Sequence, residues 1–223
     1  DSYAAMTLSN GDIAAFSSNR VEKRASWTKF STNGSFSSVV AIEDRLFVNA
    51  YDSENKLQLC EFSGDIGLDF YIYQSVASNL ADVSSLYSNG DVVDVLGFDG
   101  TNIDSLGQKT VNSNDEVDIT GHSGYTHVYV GKKFTAKIIT NPVDAAMGSG
   151  PSTGETRGVT NIVVDFKNTR SAKVNTRPLI VESSFTGKRE FRALGYSRDP
   201  QVTIEQNDPL PMQVNGIVAE LIV

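Results

Sequence analysis

Apolar and polar residues alternate with a period of two in short segments along the whole chain. This is the period of β-strands that have one buried face and one exposed face. Turn residues such as Asn10-Gly11 and Asn33-Gly34 separate the first segments. We predict five strands there, at residues 12–16, 24–30, 37–42, 46–51 and 57–62. Consecutive short antiparallel strands of this kind are typical of a β-propeller blade, so residues 1–66 are predicted to form propeller-blade-like strands.

Residues 67–223 are predicted to form a second, C-terminal β-domain of the sandwich or barrel type. A strand is predicted at Val92–Phe98, with its tight turn at Asp99-Gly100, inside a small barrel-like insert at about residues 90–140. Leu80, Val83 and Leu86 are spaced as on one or two helical turns and predict a short helix. Loop structure is predicted for residues 141–158, which are rich in glycine and serine, and closing strands at about 159–223.

The segment from Gly187 to Val223 predicts three strands and two turns. Proline at position 200 favours a turn at Ser197–Pro200, because proline fixes its own φ and keeps the preceding residue out of the helical region. The prolines on either side of Leu210 interrupt strand pairing again. We expect the apolar strand that follows to be covered by strands far earlier in the chain, and Ala in place of Ile217 or Leu221 to cost about 2–5 kcal/mol if these side chains lie in a core.

The run TGKREFRALGYSRDPQVTIEQNDPLPMQVNGIVAELIV resembles the C-terminal end of the tail nozzle proteins of short-tailed bacteriophages, the tail tubular protein B family. The residues that carry this likeness are Tyr196, Asp199, Pro200, Gln206, Pro209, Leu210 and Pro211. The run WTKFSTNGSFSSVVAIEDRLFVNAY also resembles the propeller blade that precedes the C-terminal domain in that family. One blade cannot bury its faces alone, so these strands are expected to pack on the rest of the chain or on a partner.

The resemblance implies a structural protein of the virion, located in the phage tail, and no enzymatic activity. It implies a homohexameric ring at the distal end of the tail tube, through which duplex DNA leaves without specific binding. It also implies contacts with the tail adaptor protein and with tail fibres or tailspikes. No cofactor and no metal ion are expected.

The charge of the chain limits how it could meet DNA. It has 19 Lys and Arg against 27 Asp and Glu, a formal net charge of −8. Proteins that grip nucleic acid need clustered positive charge, so this balance argues against binding but not against a wall that DNA slides past. We expect some of the densest acidic residues to face the lumen and repel the duplex; the alternative is that they are outward-facing turn residues. The set is Asp91, Asp94, Asp99, Asp104, Asp115, Glu116 and Asp118.

The cysteine content and the absence of targeting segments narrow the function only slightly. The single cysteine, Cys60, cannot form an internal disulfide and is expected to be a small buried apolar residue. The sequence has no signal peptide and no apolar run long enough for a membrane-spanning helix. The chain begins at Asp1 without Met, as expected of a processed protein or of a piece of a longer one.

Candidate chemistry is sparse. His122 and His127 are five residues apart and would lie on opposite faces of one strand, which disfavours a shared metal ion. Asp91, Asp94, Asp99 and Asp104 raise the alternative of calcium, but the segment lacks the ligand alternation of an EF-hand loop.

Two other groups of charged residues have a functional and a structural interpretation. Glu182 and Glu190 flank a turn and could oppose two carboxylates, as a glycosidase requires. Lys132, Lys133 and Lys137 lie near Tyr129 and Phe134, and are interpreted as a strand edge guarded by lysine rather than as a nucleic-acid platform.

Three hypotheses follow from the sequence. The first is the tail nozzle component. The second is a carbohydrate-binding or host-attachment β-module, suggested by Trp27, the tyrosines and the β-rich pattern. The third is a glycan hydrolase with paired carboxylates.

Overall fold

The structure is a computed structural model, and it describes residues 2–19, 21, 23–64, 66–142, 146–147, 150–151, 156–181, 183–192, 195–206 and 208–222. The chain divides into two compact units, Asp1–Gly64 (unit 1) and Asp65–Val223 (unit 2). In the described residues the fold is all-β, with no helix and with several antiparallel sheets, none of which closes on itself. The expectation of a mainly β protein is therefore confirmed.

Unit 1 contains two three-stranded antiparallel sheets. Sheet A has the order β1-β2-β3 and sheet B the order β4-β5-β6. The strands are β1 (Ser2–Thr7), β2 (Ile13–Asn19), β3 (Arg24–Phe30), β4 (Ser35–Ile42), β5 (Arg45–Tyr51) and β6 (Leu57–Glu61). The sequence pattern did not predict strand β1, because SYAAMT has no strong alternation of apolar and polar residues. The strand is recognised only from its pairing with β2 in the folded structure.

Only one face of sheet B is covered. Val48 and Ala50 of β5 are buried, and Cys60, the cross-strand neighbour of Val48, is partly buried rather than fully buried as expected. The opposite face carries apolar side chains that are more than half exposed, namely Val40, Ile42, Leu57 and Leu59. The alternation of the sequence was therefore correct for strand formation but did not indicate that the apolar side chains of β6 would lie on the uncovered face.

Unit 2 contains the other sixteen strands that the structure describes. Its first seven are β7 (Leu68–Ser75), β8 (Leu80–Asp82), β9 (Val92–Phe98), β10 (Ile103–Thr110), β11 (Glu116–Asp118), β12 (His127–Lys133) and β13 (Lys137–Ile139). The next four are β14 (Ala146–Met147), β15 (Gly150–Pro151), β16 (Arg157–Thr169) and β17 (Lys173–Val174). The last five are β18 (Arg177–Pro178), β19 (Phe185–Arg192), β20 (Tyr196–Ser197), β21 (Thr203–Glu205) and β22 (Val214–Ile222).

The first half of unit 2 is built on sheet C, with the order β10-β9-β12-β7, and on the small sheet D, in which β8 pairs with β11. One face of sheet C contributes Val93, Val95, Val128 and Val130 to a buried cluster that also contains Ala81 and Val117 of sheet D. The predicted helix at residues 80–86 is wrong. Leu80–Asp82 pairs with Glu116–Asp118, and this pairing partner, more than thirty residues away, outweighs the weak helical spacing.

The second half of unit 2 is built on sheets E and G. Sheet E has the order β13-β21-β17-β18. In sheet G the 13-residue strand β16 pairs with β19 and β20 on one side and with β22 on the other. A second buried cluster joins Ile162, Val164 and Phe166 of β16 to Val174 and Ile204 of sheet E. The closing strand therefore pairs with a strand far earlier in the chain, as expected from the sequence.

Other strand predictions in unit 2 needed correction. The loop predicted for residues 141–158 contains the hairpin β14–β15 and the start of β16, while residues 143–145, 148–149 and 152–155 lie outside the described residues. The turn predicted at Ser197–Pro200 begins inside β20, which pairs with the start of β16. Strand β22 has only one covered face, since Ile217 and Leu221 are half-buried while Val218 is 64% exposed.

Candidate functional site

Four of the seven residues that carry the family resemblance form a joint inside unit 2. We call Gln206, Pro209, Leu210 and Pro211 the clamp residues. Leu210 is buried with Leu68 and Leu96 in a third cluster, on the face of sheet C opposite the first cluster. Because Leu210 follows β21 of sheet E, its side chain connects the second half of the unit to the first.

Hydrogen bonds to the main chain fix the clamp residues. The buried side-chain amide of Gln206 donates from Nε2 to the carbonyl of Leu210, which closes the Pro-Leu-Pro segment into a tight loop. The carbonyl of Pro209 accepts from the N–H of Gly67 at 3.1 Å, and the carbonyl of Pro211 accepts from the N–H of Arg170 at 2.9 Å. Proline has no N–H, so these prolines contribute rigidity and an acceptor without leaving a buried donor unpaired.

Gly67 allows the clamp residues to approach β7. A Cβ at this position would lie 2.9 Å from Cα of Pro209, closer than real Cβ atoms come, and 3.1 Å from Nε2 of Gln206, tighter than most real Cβ contacts. Any larger residue would push the Pro-Leu-Pro loop away from sheet C. The glycine thus explains how a loop near the C-terminal end can pack on a strand more than 130 residues earlier.

A second contact between the two halves is an ion pair with additional hydrogen bonds. Arg170 Nη2 lies 2.9 Å from Oδ1 of Asp104, and Arg170 Nη1 donates to the carbonyl of Ile103. The hydroxyl of Tyr125 donates to the other oxygen of Asp104 at 3.1 Å. Burial raises the pKa of Tyr125, and its hydrogen bond to Asp104 raises the pKa further.

The remaining residues of the motif lie at the surface or beside it. Tyr196 of β20 is 66% exposed, and Asp199 is an exposed turn residue whose N–H donates to Oγ of Ser197 at 3.2 Å. Pro200 is buried. The structure thus places the motif in two locations: the clamp residues in the interior joint, and Tyr196 and Asp199 on the surface of the unit.

The exposed face of sheet G is formed by β16 in the middle, β19 and β20 on one side and β22 on the other, and we call it the outer face. Its residues lie in four cross-strand rows: Lys188, Asp165 and Gly216; Glu190, Val163 and Val218; Arg192, Asn161 and Glu220; Tyr196, Gly158 and Ile222. The β-bulge at Thr160 keeps the last row on the same face as the other three. Sequence reasoning missed this face, because a register across three strands cannot be read from one strand.

The outer face has apolar and charged parts. Val218 and Ile222, both on β22, are 64% and 47% exposed. Charged residues of β19 lie at the opposite edge, with Lys188 and Arg192 in the rows of Asp165 and Glu220. Within the face, Oδ1 of Asn161 is buried and has no hydrogen-bond partner among the described residues. Apolar residues bordered by charges are the usual composition of a protein interface.

The seven acidic residues are not gathered at one place. Asp91 and Asp115 lie together at one end of β9, where the N–H of Asn89 donates to Asp115 at 2.8 Å. Asp99 and Asp104 lie at the other end of β9, a strand that spans roughly 20 Å at about 3.4 Å per residue. Asp94 lies within β9, and Glu116 and Asp118 belong to β11.

Most of these carboxylates stabilise turns or strand ends. Asp99 accepts from the main-chain N–H groups of Thr101 and Asn102, and these hydrogen bonds lower its pKa. The hydrogen bond from Thr120 similarly lowers the pKa of Asp118. Asp115 has a φ of 59°, a left-handed conformation that aspartate tolerates. Their position relative to a lumen stays a prediction.

The lysine cluster does not guard a strand edge as interpreted from the sequence. Lys132 and Lys133 belong to β12, which lies between β9 and β7 in the interior of sheet C. Lys132 Nζ donates to the carbonyl of Val92 at 2.6 Å, and Lys137 Nζ pairs with Glu205 at 3.0 Å. Lys137 alone of the three lies on an edge strand, β13. The sequence could not assign strand order, which decides whether a lysine is at an edge.

The histidines and the proposed carboxylate pair do not assemble a site. His122 lies in a turn, where its N–H donates to the carbonyl of Ile119, so the assumption that both histidines share one strand was wrong. Glu190 is exposed on β19, and Glu182 lies outside the described residues. Across the described ranges, no group of three His, Cys, Asp or Glu residues could hold a metal ion.

An aromatic cluster on sheet C was not anticipated as a unit. Tyr73 of β7 stacks on His127 of β12, with ring centroids 4.7 Å apart and an interplanar angle of 7°. Tyr129 lies 4.7 Å from Tyr73, and Tyr73 itself is 45% exposed. In unit 1, Trp27 is 62% exposed and packs on Phe16 at 4.8 Å. Partly exposed aromatic rings of this kind can contact the apolar faces of a ligand.

Comparison with known proteins does not place the chain in a family. No protein-family model matches it, and the search of curated proteins gave no match. In the part of the chain that the structure describes, no helix has the length and apolar character needed to cross a bilayer.

Proposed function

We propose that the chain is a structural component of a short-tailed bacteriophage tail, similar to the nozzle protein, tail tubular protein B. The observation that carries the proposal is the position of the clamp residues. Part of the motif by which the sequence resembles that family, the clamp residues, is also the joint that holds the two halves of unit 2 together. A motif whose residues form such a joint fits a framework protein better than a catalyst.

The uncovered face of sheet B supports the same proposal. Val40, Ile42, Leu57 and Leu59 form an apolar surface of the kind that a propeller blade buries on its neighbouring blade. In the proposed arrangement, unit 1 supplies propeller-blade-like strands, and the paired sheets E and G of unit 2 form a sandwich-like layer. Neighbouring parts of a longer assembly cover the apolar face.

In this function the chain forms a homohexameric ring around the DNA path, between the tail adaptor protein and the fibres or tailspikes. The test is to isolate particles that contain the chain, label it with an antibody, and image them in projection. We expect label at the distal tip of the tail. Label on the capsid, or its absence from particles that contain the other tail proteins, contradicts the proposal.

The acidic residues define a second test of the same function. A wall with negative charge repels the duplex and keeps it centred, over about 10 Å at ordinary salt. Because Asp104 is paired with Arg170, the informative variants are Asp91→Asn with Asp118→Asn, and the matched control is Glu43→Gln with Asp44→Asn in unit 1. We expect only the first pair to slow DNA release at low salt. Equal release from parent and variant rings rejects the repelling lumen.

The aromatic cluster favours one second candidate, a carbohydrate-binding module. The exposed ring of Tyr73 could stack on the apolar face of a sugar, and Ser75 and His127 lie beside it as hydrogen-bonding groups. A glycan array with the parent chain and Tyr73→Ala separates the candidates. If the parent chain binds a glycan and Tyr73→Ala abolishes the binding, the carbohydrate-binding module is favoured. If the parent chain binds no glycan, the structural function is favoured.

A further inference from the structure

We propose that sheet G continues from one copy of the chain to the next, with β22 of one copy placed beside β19 and β20 of its neighbour. The occupant of the exposed edge is therefore a second copy of this chain. This inference rests on the proposed structural function, because it names the surface through which the copies associate.

The two edges of sheet G are both open in the described residues. Strand β22 pairs only with β16 on one side, and β19 pairs only with β16 on the other. An open edge presents unpaired main-chain N–H and C=O groups and is a template for another strand. Since β19 and β22 are both antiparallel to β16, they run parallel to each other, and a neighbour in the same orientation continues the sheet.

The two edges differ in how they are protected. The β19 edge exposes three cationic side chains, Lys188, Arg189 and Arg192, and one carboxylate, Glu190. Its net positive charge opposes pairing with an identical edge. Strand β22 has no lysine, arginine or proline and exposes Val218 and Ile222. Because only the β19 edge is protected by charge, contact between a β22 edge and a β19 edge is favoured over contact between two identical edges.

The rows of the outer face match end to end. When the four rows continue into a neighbouring copy, Glu220 meets Arg192 of the next copy and exposed Ile222 meets exposed Tyr196. Opposite charges meet in one row, and two apolar side chains meet in another. In the same register, Gly216 lies beside Lys188 and Val218 lies beside Glu190 of the next copy, so no like charges are opposed.

Tyr196 is held in place for such a contact. Its ring lies over Gly158, where a Cβ would come within 3.0 Å of ring atom Cε1. Gly158 thus lets the ring lie against β16, beside the row position of Ile222. The 66% exposed Tyr196 then offers a rigid apolar surface, which loses little side-chain entropy on association.

A charge exchange tests the contact. We expect Glu220→Arg alone, and Arg192→Glu alone, to weaken self-association about tenfold or more, as measured by sedimentation equilibrium. The double variant, and an equimolar mixture of the two single variants, should associate as the parent does. The control Ile180→Lys, at an 81% exposed site outside sheet G, should have no effect.

Disulfide trapping gives the geometry independently. In a Cys60→Ser background, Ile222→Cys combined with Tyr196→Cys should give a ladder of cross-linked dimers, trimers and larger species under oxidation. Ile222→Cys alone should give no cross-link. Circular dichroism and the unfolding midpoint, compared with the parent, establish that each variant is folded.

Three outcomes overturn the inference. A double charge variant as weak as the single variants shows that the two residues do not meet. Cross-linking by Ile222→Cys alone shows pairing of β22 with β22 across a two-fold axis. A parent chain that stays monomeric at millimolar concentration, the weak limit of specific association, shows no contact at all. If the chain forms a ring whose association does not respond to the charge exchange, only this interface is rejected. If the chain associates through this edge but is absent from phage tails, only the tail function is rejected.

Discussion

Units 1 and 2 are both built of antiparallel strands, but they bury their apolar side chains very differently. Unit 2 has three buried clusters, the largest of which join two sheets each. In unit 1 the buried apolar residues of the described part are Ile13, Val48 and Ala50, while Leu59 is 75% exposed. Because apolar burial is the main favourable term in folding, unit 2 has a core of its own and unit 1 has an uncovered face. The same alternation of apolar and polar residues therefore occurs in sheets whose apolar face is covered within the unit and in a sheet whose apolar side chains are left exposed.

The largest effect is expected from Phe166→Ala in unit 2. Phe166 is fully buried and makes edge-on ring contacts with Phe185 and Phe191, so the loss of the ring should cost about 3–5 kcal/mol of unfolding free energy. The matched substitution in unit 1 is Phe62→Ala, where the ring is half-buried beside Phe30. We expect it to cost clearly less in urea unfolding of the full chain. Equal losses of unfolding free energy for the two substitutions would contradict the difference in burial between the units.

The next effect concerns the joint of unit 2. Gln206→Ala removes the hydrogen bond to the carbonyl of Leu210 and leaves that acceptor unpaired, at a cost of about 1–3 kcal/mol. The control is Gln201→Ala, whose exposed side chain donates to Thr140 and can be replaced by water. A destabilisation by Gln201→Ala as large as that of Gln206→Ala would show that burial of the clamp is not the cause.

Strand β22 allows the comparison within a single element. Leu221 packs on the second cluster but is only half-buried, so Leu221→Ala should cost about 1–2 kcal/mol, below the range expected of a full core position. Val218→Ala, on the open face, should stay within about 0.5 kcal/mol for the isolated chain. Thermal unfolding at low protein concentration measures both; a larger loss for Val218→Ala would mean that its face is already covered.

A smaller effect is expected for the uncovered face of unit 1. Leu59→Thr introduces a β-branched strand former and removes exposed apolar area, so the stability of the isolated chain should change by less than about 0.5 kcal/mol. The binding of a hydrophobic dye should decrease at the same time. A loss of unfolding free energy above about 1 kcal/mol, the scale of a buried methylene group, would show that this face is covered.

The smallest effect is the pH dependence from Asp99. Main-chain hydrogen bonds hold its pKa below the ordinary value of 3.8, so its contribution to stability is present above that pH. It is lost as the pH falls through the lowered pKa of the folded state. Asp99→Asn should therefore flatten the dependence of unfolding free energy between about pH 2 and pH 5. An unchanged slope would show that the turn does not depend on the charge.

Local signals in the sequence were sufficient for several strands. The strand Val92–Phe98 was predicted with the observed bounds, because clear alternation ends at a strong turn, Asp99-Gly100. The sequence also predicted the interruption of pairing by Pro209 and Pro211, since proline lacks the donor that a sheet requires. These features depend on neighbouring residues only, and neighbouring residues are what a sequence pattern reports.

Non-local features could not be predicted. Strand β8 depends on β11, the edge position of Lys137 depends on strand order, and the burial of Leu210 depends on the absence of a side chain at Gly67. The outer face requires the register of β16 with three strands and one bulge. For the candidate site, the sequence therefore identified the residues of the motif but not the division between an interior joint and an exposed surface.

The pairing of β16 with β22 has a mechanical consequence. The two strands lie side by side over almost the whole of β22, so tension along the strand axis is shared by all their hydrogen bonds at once. A pull across the sheet would instead break those bonds one after another, beginning at one end. Sheet G should thus resist shear strongly and peeling weakly, and a single-molecule force measurement along the two directions would reveal that anisotropy.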